Sequence, residues 1–256
     1  MDKYCRFDAG GGARYGVLRG ESVEELSAAP WLAGTPTGKR HELGRVKLLA
    51  PCEPTKIVCI GRNYREHAAE LGNPLPKEPL IFLKPPSAVI GPEDAIVYPA
   101  ASKHVDYEGE VALVVGKRCR RLKPDENPLD YVFGYTCVND VTARDLQKAD
   151  GQFTRGKGFD TFCPMGPVLA TGFAASSLSV ETYVNGERRQ AGRTSEMIFG
   201  LDVIIRFIAE VMTLEPGDVI ATGTPPGVGS LQPGDVVEVA VEGVGRLRNP
   251  VVAEGK

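Results

Sequence analysis

Short runs of apolar and β-branched residues, broken by glycine and proline, recur along most of the 256-residue chain. KIVCI (56–60), LIFLK (80–84), AIVYP (95–99), YVFGYTCV (131–138), SVETYVNG (179–186), GDVIATG (217–223) and GDVVEVAVEGVG (234–245) have strand length and are bounded by turn formers, which predicts a β-rich fold. In VDYEGEVALVVG (105–116), Val111 to Val115 is apolar at both alternating positions, the pattern of a strand covered on both faces. The NG at 185–186, with ETYV before it and ERRQAG after, predicts a hairpin. Helical periodicity is rarer. Leu201, Ile204, Ile205, Ile208 and Met212 fall on one stripe of LDVIIRFIAEVM, which predicts a helix laid on a sheet. TARDLQKAD (142–150) and NYREHAAELG (63–72) are shorter candidates, the second with Asn63 as N-cap, Gly72 as stop and Asn73-Pro74 beyond.

The first 49 residues are patterned more weakly. RYGVLRGESVEEL reads as a strand, a turn and a polar connection, and the two prolines of LLAPCEPTK mark a boundary. The expected organisation is a small N-terminal domain, 1–50, and a main body, 51–256. Composition excludes several partners. The net charge is −3 with no long basic run, which argues against nucleic acid. No apolar run approaches the ~18 residues of a membrane span, and MDKYCRFDAGGG lacks the apolar core of a signal peptide. No membrane partner and a cytoplasmic location are expected. The six cysteines are scattered without a C-x-x-C pair, so they read as reduced core thiols without zinc-ligand spacing.

Candidate chemistry begins with Glu108 and Glu110. Residues i and i+2 of a strand share a face, so both point the same way as Ala112 and Val114. Two such carboxylates repel each other and resist leaving water. Either they sit at a wet strand end, or a hard divalent cation (Mg²⁺, Mn²⁺ or Ca²⁺) holds both. A third carboxylate would complete such a site. Asp140 is one candidate, at the junction of a strand-like and a helix-like segment where it could equally cap or turn the chain; Asp145, Asp150 and Asp160 compete with it. His67 and Glu70 are neighbours on a helical face. A carboxylate that fixes one imidazole nitrogen makes the other a better base, so the pair is a water-activating dyad or a plain surface pair. Lys157 sits between Gly156 and Gly158, and Thr222 and Thr224 sit in ATGTPPGVG. Such loops let backbone approach a ligand, or are simple turns. No Walker loop, G-x-S-x-G elbow or G-x-G-x-x-G unit occurs.

Taken in order, GRNYREHAAELG (61–72), EPLIFLKPPSAVIGP (78–92), YEGEVALVVGKRCR (107–120), GYTCVNDVTARDLQ (134–147), RGKGFDTFCPMGP (155–167), TYVNGERRQ (182–190), TSEMIF (194–199) and GDVIATGTPPGVG (217–229) resemble the fumarylacetoacetate hydrolase family. The resemblance runs through most of the main body, and the N-terminal piece is similar to that of bacterial members. It implies a mixed α/β, β-rich fold: a β-roll of mixed strands around a central cavity, with few helices, usually in a homodimer. It implies a divalent ion held by Glu108, Glu110 and Asp140, which selects Asp140 over its acidic neighbours. His67 and Glu70 fall on the family's dyad, in a segment that tends to order when ligand binds. Lys157 falls on a substrate-facing lysine, and Arg144, Gln147 and Thr224 on positions that hold the substrate's carboxylate or oxo oxygens. The cofactor implied is Mg²⁺ or Mn²⁺, with Ca²⁺ as a further option, and the partner a small 2-oxo acid. The activity implied is C–C cleavage of a β-diketo or 3-carboxy 2-oxo acid, by hydrolysis or decarboxylation through a metal-bound enolate. The alternative is isomerisation or hydration of an unsaturated 2-hydroxy diacid in aromatic catabolism, as in 2-hydroxyhepta-2,4-diene-1,7-dioate isomerases. A non-catalytic metal-dependent binder on this fold would not need the His67–Glu70 pair.

Overall fold

The computed structural model describes every residue except Leu71, Asn73, Ala174 and Lys256. The N-terminal segment holds β1 (Lys3–Asp8), β2 (Ala13–Arg19), β3 (Ser22–Leu26), β4 (Pro36–Glu42) and β5 (Lys47–Leu49). Then come β6 (Ile57–Gly61), helix α1 (Arg65–Glu70), β7 (Leu80–Lys84), β8 (Val89–Ile90), β9 (Ile96–Tyr98), β10 (Val105–Tyr107), β11 (Gly109–Val115), β12 (Val132–Asn139) and β13 (Thr142–Ala143). Helices α2 (Arg144–Asp150) and α3 (Thr154–Lys157) precede β14 (Cys163–Ala170), β15 (Ser179–Val184) and β16 (Glu187–Arg193). Helix α4 (Leu201–Val211), β17 (Val219–Ala221), β18 (Gly229–Ser230), β19 (Val236–Val241) and β20 (Gly245–Ala253) complete the chain.

The strands form three sheets. The twelve-stranded one runs β4-β3-β2-β1-β14-β12-β11-β17-β6-β7, with β5 on β1 and β8 on β14. It is mixed, since β17 pairs β6 in parallel while β11 pairs β12 and β17 antiparallel. Its strand path is open, so among the described residues it closes no barrel. A five-stranded sheet, β16-β15-β19-β20-β9, packs on it, and β13-β10-β18 form a third. The first 50 residues enter the large sheet through β1, where Lys3 opposes Ala170 and Tyr4 opposes Leu169.

Strand β11 is buried along its whole length, as its double apolar alternation requires. Val111, Leu113 and Val115 join a core with α4 and the five-stranded sheet, while Ala112 and Val114 join a second core on the other face. On α4, Leu201, Ile204, Ile205, Ile208 and Ala209 are buried; each large apolar side chain so covered contributes roughly 1.5–3 kcal/mol. The hairpin at 185–186 has Asn185 and Gly186 at φ 52° and 81°, the left-handed pair that a two-residue primed turn requires.

Three sequence expectations need correction. The segment SVEEL is a paired strand, not a polar connection: β3 bonds to both β2 and β4. Its Glu25 is buried because Arg14 (3.1 Å) and His41 (2.9 Å) meet the carboxylate there. Asn63 caps no helix. Its Oδ1 accepts from Phe199 N (2.9 Å) and its Nδ2 donates to the carbonyls of Phe199 and Thr222 (3.2 and 2.8 Å), so it ties three loops together. The RGKGF stretch is not an open turn either, since α3 runs through it. A Cβ on Gly156 would lie 2.8 Å from Gln147 Cβ, so that glycine allows α2 and α3 to touch rather than a ligand to approach.

Candidate active site

The site is assembled where β10 gives way to β11. Glu108 falls between the two strands. Its N–H donates to Asn139 Oδ1 (2.9 Å), and its carbonyl accepts from Asp140 N (2.8 Å). Asp140 follows the last residue of β12, so these backbone bonds bring the Glu108 and Asp140 side chains together. Glu110 is two residues on, on the face shared with Ala112 and Val114. One carboxylate oxygen from each of Glu108, Glu110 and Asp140 lies within 4.8 Å of the others, and all three residues are buried.

The register leaves no slack. A Cβ on Gly109, between the two glutamates, would fall 2.0 Å from Thr182 Oγ1 on the neighbouring sheet. Gln190 accepts from Gly109 N (3.0 Å) and donates to Thr224 Oγ1 (2.8 Å), and that hydroxyl donates to Gly109 O (2.9 Å). Thr222 Oγ1 donates to Val111 O (2.8 Å). Both threonines of ATGTPPGVG therefore clamp the strand that carries the glutamates.

Three cations make the buried cluster tolerable. Lys157 Nζ donates to Glu108 Oε2 (2.7 Å) and Asp140 Oδ2 (2.6 Å) and lies 5.0 Å from the Phe82 ring centroid. Lys84 Nζ donates to Asp140 Oδ1 (2.5 Å) and Val141 O (3.0 Å). Arg144 bonds to Glu108, to Asp106 (2.8 Å) and to Gln147 Oε1 (2.8 Å). Burial works against the Glu108 charge, but Lys157 and Arg144 outweigh it and hold that carboxyl well below its ordinary range. Burial likewise opposes the Lys157 charge, and Asp140 and Glu108 overcome it, so the side chain stays an ammonium.

Four carboxylates (Asp106, Glu108, Glu110, Asp140) thus face three cations, and the deficit falls on Glu110. Among the described residues its one bonded donor is Gly223 N, at 2.8 Å. Burial, then the charges of Asp140 and Glu108, push its carboxyl well above the usual range. A buried carboxylate short of positive charge, facing two more among oxygen donors only, fits a hard divalent ion; Mg²⁺ and Mn²⁺ suit such oxygens.

A cavity of about 300 Å³ opens above the cluster. Of the nine residues named from the sequence, His67, Glu108, Glu110, Asp140, Arg144, Gln147, Lys157 and Thr224 line it. Glu70 stands behind His67, with Oε2 3.3 Å from His67 Nδ1, and its carboxylate accepts from Gly227 N at 3.1 Å. Sequence reasoning missed Lys84, Asp106, Gln190 and Arg62. Lys84 left no trace in local spacing; only the folded chain shows that it is two residues along β7 from Phe82, which lines the cavity.

A buried carboxylate cluster one cation short, at the foot of a small cavity on an open mixed β-fold, has the build of an enzyme active site. Residues 56–252 match the family described as fumarylacetoacetate (FAA) hydrolase C-terminal, and the chain belongs to that family. Residues 2–51 match a separate family described as Rv2993c-like, N-terminal. Protein Rv2993c of Mycobacterium tuberculosis is 47% identical over 238 residues, covering 92% of this chain and 89% of the relative. Oxaloacetate tautomerase YisK of Bacillus subtilis is 46% identical over 226 residues, covering 83% and 75%. The crystal structure of 2-hydroxyhepta-2,4-diene-1,7-dioate isomerase from Mycobacterium marinum superposes with a TM-score of 0.91 at 41% identity, over 100% of both chains. No helix among the described residues is long and apolar enough to cross a membrane, and all six cysteines are free and buried.

Proposed function

We propose that this enzyme moves a proton between oxygen and carbon 3 of a 2-oxo diacid of the oxaloacetate type, with a divalent ion held by Glu108, Glu110 and Asp140. The observation that carries the reading is the buried carboxylate cluster with its uncompensated Glu110, beneath a cavity lined by His67, Lys157 and Arg144. The oxaloacetate tautomerase named among the relatives supports this choice of substrate class. When bound, the divalent ion supplies Lewis-acid stabilisation of negative charge on the substrate's 2-oxygen.

The chain's own groups do the rest. Lys157, kept charged by Glu108 and Asp140, adds a donor and a positive charge beside that oxygen. Arg144 has N–H groups left after its three bonds, and Gln147 keeps its amide N–H₂ after accepting from Arg144; both hold the substrate's carboxylate. Thr224 contributes only a remaining lone pair, its hydroxyl hydrogen being spent on Gly109. His67, with Nδ1 turned to Glu70, presents Nε2 as the base that takes up and returns the transferred proton. In the ketonising direction the enol O–H proton leaves and one proton is added at carbon 3, with no change in composition.

The test is the relaxation of enol-oxaloacetate, followed by its ultraviolet absorbance with Mg²⁺ or with EDTA, alongside a coupled assay for pyruvate. Acceleration that EDTA abolishes, without pyruvate, is expected; no acceleration in either condition rejects the reading. A second reading is C–C cleavage, hydrolytic or decarboxylating, favoured by the His67–Glu70 pair that could activate a water. Pyruvate from acetylpyruvate or oxaloacetate would establish it. Isomerisation of an unsaturated 2-hydroxy diacid is the matching alternative from the M. marinum structure, and the same substrate panel includes it. The reading also includes a reducing cytoplasm, supported by the free thiols, and a homodimer, to be checked by light scattering on the purified protein.

A further inference from the structure

The cavity is polarised in a way the proton-transfer chemistry does not use. Its floor carries the three carboxylates, and two of the basic side chains that line it, Arg144 and Lys157, are bound to acids there. Two other basic residues line it, Arg62 and Lys148. Among the described residues neither has a carboxylate oxygen within 4.0 Å. Lys148 is on the exposed side of α2, and Arg62 is half-buried just past the end of β6.

Arg62 also occupies an unusual backbone state. Its φ is 58°, in the left-handed region that costs a residue with a Cβ about 1 kcal/mol or more. The next residue, buried Asn63, is held by hydrogen bonds to Phe199 and Thr222. A glycine would adopt the Arg62 conformation at lower cost. An arginine there, lining the cavity and without an acidic partner, gives the strained position a use.

We propose that Arg62, with Lys148 beside the same cavity, reads the second carboxylate of the substrate and so makes the enzyme selective for 2-oxo diacids over 2-oxo monoacids. This rests on the 2-oxo acid reading above and adds the specificity determinant. One end of the ligand would lie over the acidic floor that would hold the divalent ion, and the other would meet two cations that have no carboxylate partner among the described residues. A charge-assisted bond from arginine to a carboxylate changes affinity about ten- to hundredfold.

The test compares oxaloacetate with 2-oxobutanoate, which replaces the distal carboxylate by a methyl group at equal length. Binding of each to the Mg²⁺-loaded full chain is measured by calorimetry, together with enol turnover of oxaloacetate. Wild type is expected to favour oxaloacetate at least about tenfold. Arg62→Gln should lose most of that preference by weakening oxaloacetate while 2-oxobutanoate affinity stays within about twofold; Arg62→Lys should keep much of it, and Lys148→Gln should lose a smaller part. Equal affinities in wild type, or an Arg62→Gln protein that keeps the wild-type ratio, would overturn the proposal. If wild type shows the binding preference without enol turnover, the proton-transfer reading fails and the specificity assignment stands. Turnover with unaltered discrimination in Arg62→Gln sinks the assignment alone. Unchanged Mg²⁺ affinity and melting temperature in each variant show that floor and fold are intact.

Discussion

Lys84 is a buried lysine on β7 with its ammonium on Asp140 Oδ1 at 2.5 Å and Val141 O at 3.0 Å, and the residue is 1% exposed. Replacing it by methionine keeps an unbranched stem of similar length and deletes the charge. Removing one partner of a buried pair costs about 3–5 kcal/mol, because the other is left charged and desolvated. The orphaned Val141 carbonyl adds about 1 kcal/mol, and the better burial of a thioether offsets a part of that size. A net loss of about 4 kcal/mol is expected for the metal-free protein. At about 2–4 °C per kcal/mol for a chain of this size, the melting temperature should fall roughly 8–16 °C. The same deletion leaves the carboxylate cluster more negative, so divalent ions should bind Lys84→Met more tightly than wild type. At 100 times its dissociation constant, a ligand returns about 2.7 kcal/mol, so excess Mg²⁺ should recover more than half of the loss measured against metal-free wild type. Differential scanning calorimetry with EDTA and with Mg²⁺, plus a Mg²⁺ titration of each protein, measures all three effects. A loss below about 1 kcal/mol with unchanged Mg²⁺ affinity would refute the account of how these charges are balanced.

Other expectations follow from the same geometry. Glu110→Gln removes the carboxylate that lacks a cation, so it should leave the metal-free fold as stable as wild type or more so, while abolishing Mg²⁺ binding by calorimetry and with it turnover. His67→Ala should keep Mg²⁺ affinity and slow the reaction about 10²–10⁴-fold, the usual range for a positioned acid–base group; full rate with metal bound removes His67 from the chemistry. Gly109→Ala places a methyl group 2.0 Å from Thr182 Oγ1 and should cost about 1–3 kcal/mol in urea denaturation and displace both glutamates; an unperturbed melting curve would contradict the tight register. Burial pushes the thiols of Cys5, Cys137 and Cys163 up to about 12 and that of Cys119 to about 11, from an ordinary 9.0. Unfolded thiols therefore ionise first, and this contribution to stability, intact below pH 9.0, should be lost as pH rises from there toward about 12. A denaturation midpoint that rises over that window, or rapid thiol labelling of the native protein at neutral pH, would contradict the buried assignment.

Local pattern carried much of the fold. The double apolar alternation of β11, the stripe on α4 and the NG hairpin are properties of a few consecutive residues, and each appears where the pattern puts it. The shared face of Glu110 with Ala112 and Val114 is equally a matter of parity. What escaped local reading depends on partners far along the chain. Glu25 looks like a surface residue until Arg14 and His41 are folded against it. Asn63 has the composition of a cap, yet its partners are at 199 and 222. The cations that stabilise the acidic cluster come from β7, α2 and α3, and spacing along the sequence contains no information about which lysine or arginine arrives there. For the same reason Asp140 was indistinguishable from Asp145, Asp150 and Asp160 until the family resemblance chose it. In the structure Asp145 bonds Ser102 and Lys103 N, and Asp150 bonds Arg155, away from the cluster.

The central claim is that Glu108, Glu110 and Asp140 converge on one divalent ion. Anomalous diffraction from crystals soaked in Mn²⁺ with oxalate, a stable mimic of a 2-oxo acid, addresses it most directly. The account expects a single strong peak about 2.0–2.3 Å from one oxygen of each of the three carboxylates, with oxalate and one water completing the shell. A peak elsewhere, or a bare cluster in crystals of a protein that remains active, would contradict it.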